Sequence, residues 1–88
     1  MKKTHFKIAH TTGNTPVKIS GTFWHNNRLW VIHHKYGYEI FRCSDYLTGM
    51  FLEEADSLFF KTTKKLAKET LDKHRDFDFS KYPIINEP

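Results

Sequence analysis

One cysteine, Cys43, stands in a chain of 88 residues. That excludes an intrachain disulfide and any zinc site built on several thiolates, and it suits a reducing compartment or indifference to redox. Cys43 reads as a small buried apolar residue. The glycines at 13, 21, 37 and 49 are isolated, so no glycine-rich loop is present to cradle a phosphate or dinucleotide cofactor. Long apolar runs are missing as well. Nothing approaches the ~18 to 20 apolar residues of a membrane span. The opening MKKTHFKIAH carries the charges of a signal peptide without the roughly 7 to 15 apolar residues that follow them in one. The expectation is a cytoplasmic protein with its natural start and no membrane partner.

What is present is aromatic and mildly basic. Eight Phe, four Tyr and two Trp give material for one compact core. A chain of this length buries only about 60 to 65% of its unfolded surface, which leaves room for a single domain, 1–88. Fourteen Lys and Arg against ten Asp and Glu leave a net charge of +4, a balance that favours anionic partners without specifying one.

Turn signals at TTGNTP (11–16), HNNR (25–28), KYGY (35–38) and SD (44–45) separate HFKIAH, VKISGTFW, LWVIHH and YEIFRC. These short stretches, rich in β-branched and aromatic residues, predict an antiparallel meander of three to four strands over about 5–43. A two-residue loop at Asn26 and Asn27 sets Phe23 opposite Trp30, Gly21 opposite Ile32, Ile19 opposite His34 and Val17 opposite Tyr36. A two-residue loop at Tyr36 and Gly37 sets Phe41 opposite Ile32, Cys43 opposite Trp30 and Glu39 opposite His34. Both loops bury the same apolar face, which Phe6 and Ile8 extend. The opposite face carries Lys18, Ser20, Thr22, Trp24, Val31, His33, Lys35, Tyr38, Ile40 and Arg42.

From Thr62 the period changes. Leu66, Ala67, Thr70, Leu71 and His74 recur at helical spacing with lysines and acids between them, predicting a helix over about 62–75 that starts at a Thr62 cap. Glu69 and Lys73 are spaced as an i,i+4 ion pair. Residues 44–60 fit a short helical or irregular insertion, with LFF reading equally well as strand. The tail, 76–88, is extended and too apolar at Phe77, Phe79, Tyr82, Ile84 and Ile85 for a free end, so it clips onto the body or binds a partner. The fold class is α+β: a meander packed on one C-terminal helix.

Six histidines invite a metal hypothesis, and their spacing argues against it. His33 and His34 point to opposite faces of one strand and cannot close on one ion. His34 with Glu39 has the form of a base and its orienter, yet Cys43 as nucleophile lies away from them on the apolar side. No catalytic, metal or cofactor residue is therefore assigned. The remaining signal is basic residues among aromatics: Lys18, Trp24, His33, Lys35, Tyr38 and Arg42 form a candidate nucleic-acid surface, which could neutralise phosphates and stack on bases. The plainer alternative is an ordinary solvated sheet face, with Trp24, Val31 and Ile40 covered by the tail or the 46–60 segment.

GTFWHNNRLWVIHHKYGYEIF followed by FFKTTKKLAKETLDKH resembles the arm-type DNA-binding domain of phage and transposon tyrosine-recombinase integrases. The matching positions are Trp30, Gly37, Phe60, Lys61, Thr62, Ala67 and Leu71, over about half of the chain. The resemblance implies three strands on one helix, with the sheet entering the major groove of DNA. The stretch from Asp45 to Leu58 departs from the family's compact form, and these 88 residues include no recombinase catalytic domain. Two expectations of function result. The first is a non-catalytic module binding DNA or RNA through the outer sheet face, as an accessory or regulatory protein of a phage or mobile element would. The second is a protein-binding module or inhibitor using Phe77, Phe79 and Tyr82 or a strand edge. Less weight falls on a metal-dependent enzyme, and oligomeric state is not legible.

Overall fold

A computed structural model describes residues 4–10, 13–35 and 37–87. Its elements are strands β1 (His5–His10), β2 (Gly13–Lys18), β3 (Gly21–His25), β4 (Arg28–His34), β5 (Phe41–Asp45) and β6 (Phe51–Ser57), helix α1 (Phe60–Lys73) and a 3₁₀ turn at Phe79–Lys81. Strands β3 to β6 form an antiparallel meander in chain order, and β1 and β2 form a second, two-stranded sheet. The chain is α+β, with antiparallel strands packed on one C-terminal helix. None of its described helices is long and apolar enough to cross a membrane.

The Asn26–Asn27 loop behaves as its sequence demands. Both residues have positive φ, 49° and 64°, which a two-residue hairpin of this hand requires and Asn tolerates. Phe23 consequently pairs with Trp30 and Gly21 with Ile32, as expected. The next register is slipped by two residues: Cys43 lies opposite Ile32, Phe41 opposite His34 and Asp45 opposite Trp30. Lys35 N–H donates to the Ile40 carbonyl at 2.8 Å, closing a loop of four residues instead of two. A two-residue turn would place an aromatic, Tyr36, where φ must be positive or glycine is needed. The longer loop instead puts Gly37 at φ 82°, third in a turn closed by Tyr38 N–H to the Lys35 carbonyl. A slip of two keeps side-chain parity, so the same apolar face is buried.

That face, with Phe23, Trp30, Ile32, Cys43 and Ala55, packs against Ala67 and Leu71 of α1. The other face is covered too. Hairpin β1–β2 lies across it, bringing Phe6, Ile8 and Val17 onto Val31 and Tyr46. Three layers result, and Trp30, Val31, Ile32 and His33 are all buried in succession. The expected continuous strand VKISGTFW is broken at its middle to make this possible: Ile19 N–H bonds Thr4 of the hairpin while Ser20 N–H bonds Ile32 of the main sheet. Val17 therefore faces Phe6, and Tyr36 lies outside the described residues.

The 44–60 stretch, expected as helical or irregular, forms a turn and then strand β6. Asp45 organises the turn. Its carboxylate accepts from Thr48 N–H and Thr48 Oγ–H and takes a bidentate bond from Arg28 at 2.9 and 2.6 Å. Gly49 follows with φ 70°. Here β1 crosses, Ala9 N–H donating to the Gly49 carbonyl at 3.0 Å. Helix α1 starts two residues before the expected Thr62, after Phe59, and has no side-chain cap. Phe60 earns that position by packing edge-on against Phe41, ring centroids 5.7 Å apart. The tail does clip onto the body: Asn86, buried, exchanges both hydrogen bonds with the backbone of Lys7 and donates a third to the Tyr46 carbonyl.

Candidate binding groove

The six residues expected to form a nucleic-acid surface are sorted into three environments. His33 is fully buried beneath Phe6, ring centroids 5.4 Å apart. One ring nitrogen, Nδ1, lies 2.8 Å from the His34 carbonyl, which only accepts, so Nδ1 carries the proton. Nε2 is then left to accept from Ser44 Oγ–H at 2.7 Å. Burial lowers the His33 pKa below its ordinary 6.5, with Arg42 adding to the effect. Arg42 is mostly buried and bound bidentately to Asp56 at 2.9 and 2.7 Å, its guanidinium over the Phe51 ring. Trp24 is 70% exposed on edge strand β3, the far side of the meander from β6.

Lys18, Lys35 and Tyr38 come together. Strand β2 supplies Lys18, and the loop that follows β4 supplies Lys35 and Tyr38; all three line one open groove of about 810 Å³. Tyr38 is 60% exposed, and its ring lies 4.8 Å from Lys35 Nζ. His34, Phe41 and Leu58 line the same groove, with Glu39 as its acid. His34 stacks on Phe41 with centroids 4.4 Å apart. Its Nδ1 donates to the backbone carbonyl of Glu39 at 3.0 Å, so the partnership expected of the Glu39 carboxylate is made by the main chain. A smaller cavity of about 160 Å³ lies on the inner side of Lys35 and Tyr38, reaching His33, Arg42 and Ser44.

Charge is sorted as well. The three ion pairs among the described residues are Arg28–Asp45, Arg42–Asp56 and His25–Asp72, and no lysine takes part in one. The expected Glu69–Lys73 pair is not among them. Arg28 and Arg42 hold the fold, and the positive charge outside these pairs is presented by lysines and the exposed Arg75.

At the other end, Phe79 packs edge-on against Trp30 with centroids 5.7 Å apart, and the Arg28 guanidinium lies 4.1 Å from its ring centre. Phe77 and Tyr82 stack on each other at 5.8 Å and remain partly exposed. A cavity of about 350 Å³ between β6 and the end of α1 adjoins Phe77 and Phe79.

The Ser44–His33 pair was not evident from the sequence, because the four-residue loop is what brings Arg42 opposite His33 and Ser44 opposite Val31. As chemistry it resembles a hydroxyl and its base, but both residues have no exposed surface, and their bond pins β4 to β5. Burial pushes the Cys43 thiol up to about 12, which leaves it protonated and unreactive. No group of three or more His, Cys, Asp or Glu that could hold a metal occurs among the described residues.

Comparison with family models, with curated proteins and with solved structures returned no match.

Proposed function

We propose that this protein is a small non-catalytic module that binds nucleic acid in the groove between β2 and the loop after β4. The observation that carries this reading is the gathering of Lys18, Lys35 and the exposed Tyr38 around one open concavity, while Arg28 and Arg42 are ion-paired elsewhere. Lys18 and Lys35 take no part in the ion pairs among the described residues; such lysines release counterions on meeting phosphates, and an exposed ring offers a stacking platform to any base. The groove differs from the docking mode that the integrase resemblance implies. There an open sheet enters the major groove, whereas here hairpin and helix cover the two sheet faces. A role beside the DNA of a phage or mobile element stays within this reading.

Anisotropy of a labelled oligonucleotide at low salt tests it. Wild-type protein is expected to bind, and Lys18→Glu with Lys35→Glu to weaken binding at least tenfold without lowering the melting temperature. Absence of binding to DNA and RNA at low salt would refute the reading.

A second reading has its own observation. The stacked Phe77–Tyr82 pair beside the 350 Å³ cavity is an exposed apolar feature suited to a protein partner. Phe79 would not join it, since it is held between Trp30 and Arg28.

A further inference from the structure

The groove ends where α1 begins. Phe41 and Leu58 line it, and Phe41 touches Phe60, the first residue of the helix. From there one helix ridge follows strand β3 along its length. The Phe60 ring fills the space a side chain at Gly21 would need. Lys64 and Lys68 lie over the Phe23 ring, their Nζ atoms 5.9 and 5.7 Å from its centre. Asp72 closes the series on His25 at 2.8 Å. Spacings of four residues keep these side chains on one face.

Lys64 and Lys68 are thus oriented by the sheet beneath them, and Lys61 and Lys65 stand exposed one step around the helix. The helix has no acid in its first turn, and Glu69 is its first acidic residue. Four lysines in eight residues near a helix start run against the helix dipole, which favours acids there. A surface selected for solubility alone would mix the signs.

We propose that the nucleic acid leaves the groove along this ridge, so that Lys61, Lys64, Lys65 and Lys68 neutralise the backbone of a single strand whose base stacks at Tyr38. The proposal rests on the groove reading and adds the path and the strandedness. A single strand is favoured because a ring in a concavity reaches only an unpaired base, and because neither face of the main sheet is open to a duplex groove. From Lys61 to Lys68 the ridge rises about 10 Å, enough for a short run of phosphates.

Salt-series titrations of a single strand and of its duplex decide the matter. Lys61, Lys65 and Lys68 are changed together to Gln, which keeps helix propensity. Tight single-strand binding is expected, with the magnitude of the slope of log K against log salt falling by about 2 in this variant. An unchanged slope, with binding still lost in the Lys18→Glu, Lys35→Glu protein, would overturn the ridge and leave the groove. Duplex bound as tightly as single strand would overturn the strandedness. No binding of either form would overturn the groove reading itself.

Discussion

The two ends of the molecule are built from the same residue types and use them oppositely. At the tail end, Phe79 and Asn86 are consumed internally, Phe79 on Trp30 and Arg28 and Asn86 on Lys7 and Tyr46, which leaves Phe77 and Tyr82 partly exposed. At the loop end, Tyr38 meets a lysine and solvent, and Lys18 projects outward. An aromatic-rich segment is therefore no guide to binding by itself. What separates the two is whether the backbone around the rings is bonded to the rest of the fold. Residues 85 and 86 both donate N–H groups to the Leu47 carbonyl, whereas the 35–40 loop bonds mainly to itself. Removal of the tail would consequently strip a structural element, so the protein-binding reading is better examined by point changes at Phe77 and Tyr82.

Two glycines sharpen this comparison, and the one at the tail end carries the larger effect. Gly49 has φ 70°, and a Cβ there would meet Ala9 N at 2.7 Å, Lys7 O at 2.8 Å and the Ile85 side chain at 2.7 Å. Gly49→Ala combines left-handed strain with a clash against backbone that cannot swing aside. Denaturant unfolding should show a loss of about 2–5 kcal/mol, enough to endanger a small domain. A loss under about 1 kcal/mol would mean that strand β1, the turn and the tail are not knotted at this point.

How much of this was legible varies with the cause. The Asn26–Asn27 loop fixes its register through φ alone, so the β3–β4 pairing and the buried face could be read directly. Strand β6 could not. Leu47, Met50, Phe51, Ala55 and Leu58 fall at helical spacing, and the turn at residues 45–49 is held by the Asp45 carboxylate, which Arg28 reaches from β4, together with the Gly49 N–H bond to the Asp45 carbonyl. The covering hairpin was masked for a related reason. VKISGTFW alternates well enough for one strand, and its crossover depends on Ile19 and Ser20 bonding to different sheets. A signal was present in WVIH, where consecutive buried residues imply layers on both sides of a strand. Of the candidate site, Lys18, Lys35 and Tyr38 were read from the sequence; His34, Phe41 and Leu58 enter the groove only through the longer loop and the β6–α1 turn.

His33 lies between the two regions and makes a prediction of intermediate size. Its pKa is lowered in the fold, chiefly by burial. Between that lowered value and 6.5 the unfolded chain holds a proton that the native state refuses. The stabilisation is therefore complete above about pH 6.5 and is lost as the pH falls toward the folded value, by at most about 1.4 kcal/mol per pH unit. Urea unfolding across this range, with the His33 ring followed by NMR, checks both halves. A His33 signal that titrates at or above 6.5 in the native protein would sink the account.

The smallest structural effect is expected at the loop end. Gly37 has φ 82°, but a Cβ there meets nothing within 4 Å. Gly37→Ala then incurs backbone strain alone, about 1–2 kcal/mol, partly offset by the lower entropy of the unfolded chain. Because Gly37 sets the turn that presents Tyr38 beside Lys35, the same change should disturb oligonucleotide binding more than it disturbs stability. Measuring both on one sample separates the possibilities. Binding lost with the melt nearly unchanged would mark the loop as the recognition element. A large fall in stability would instead show the loop end to be knotted like the tail, and the contrast between the two ends would fail.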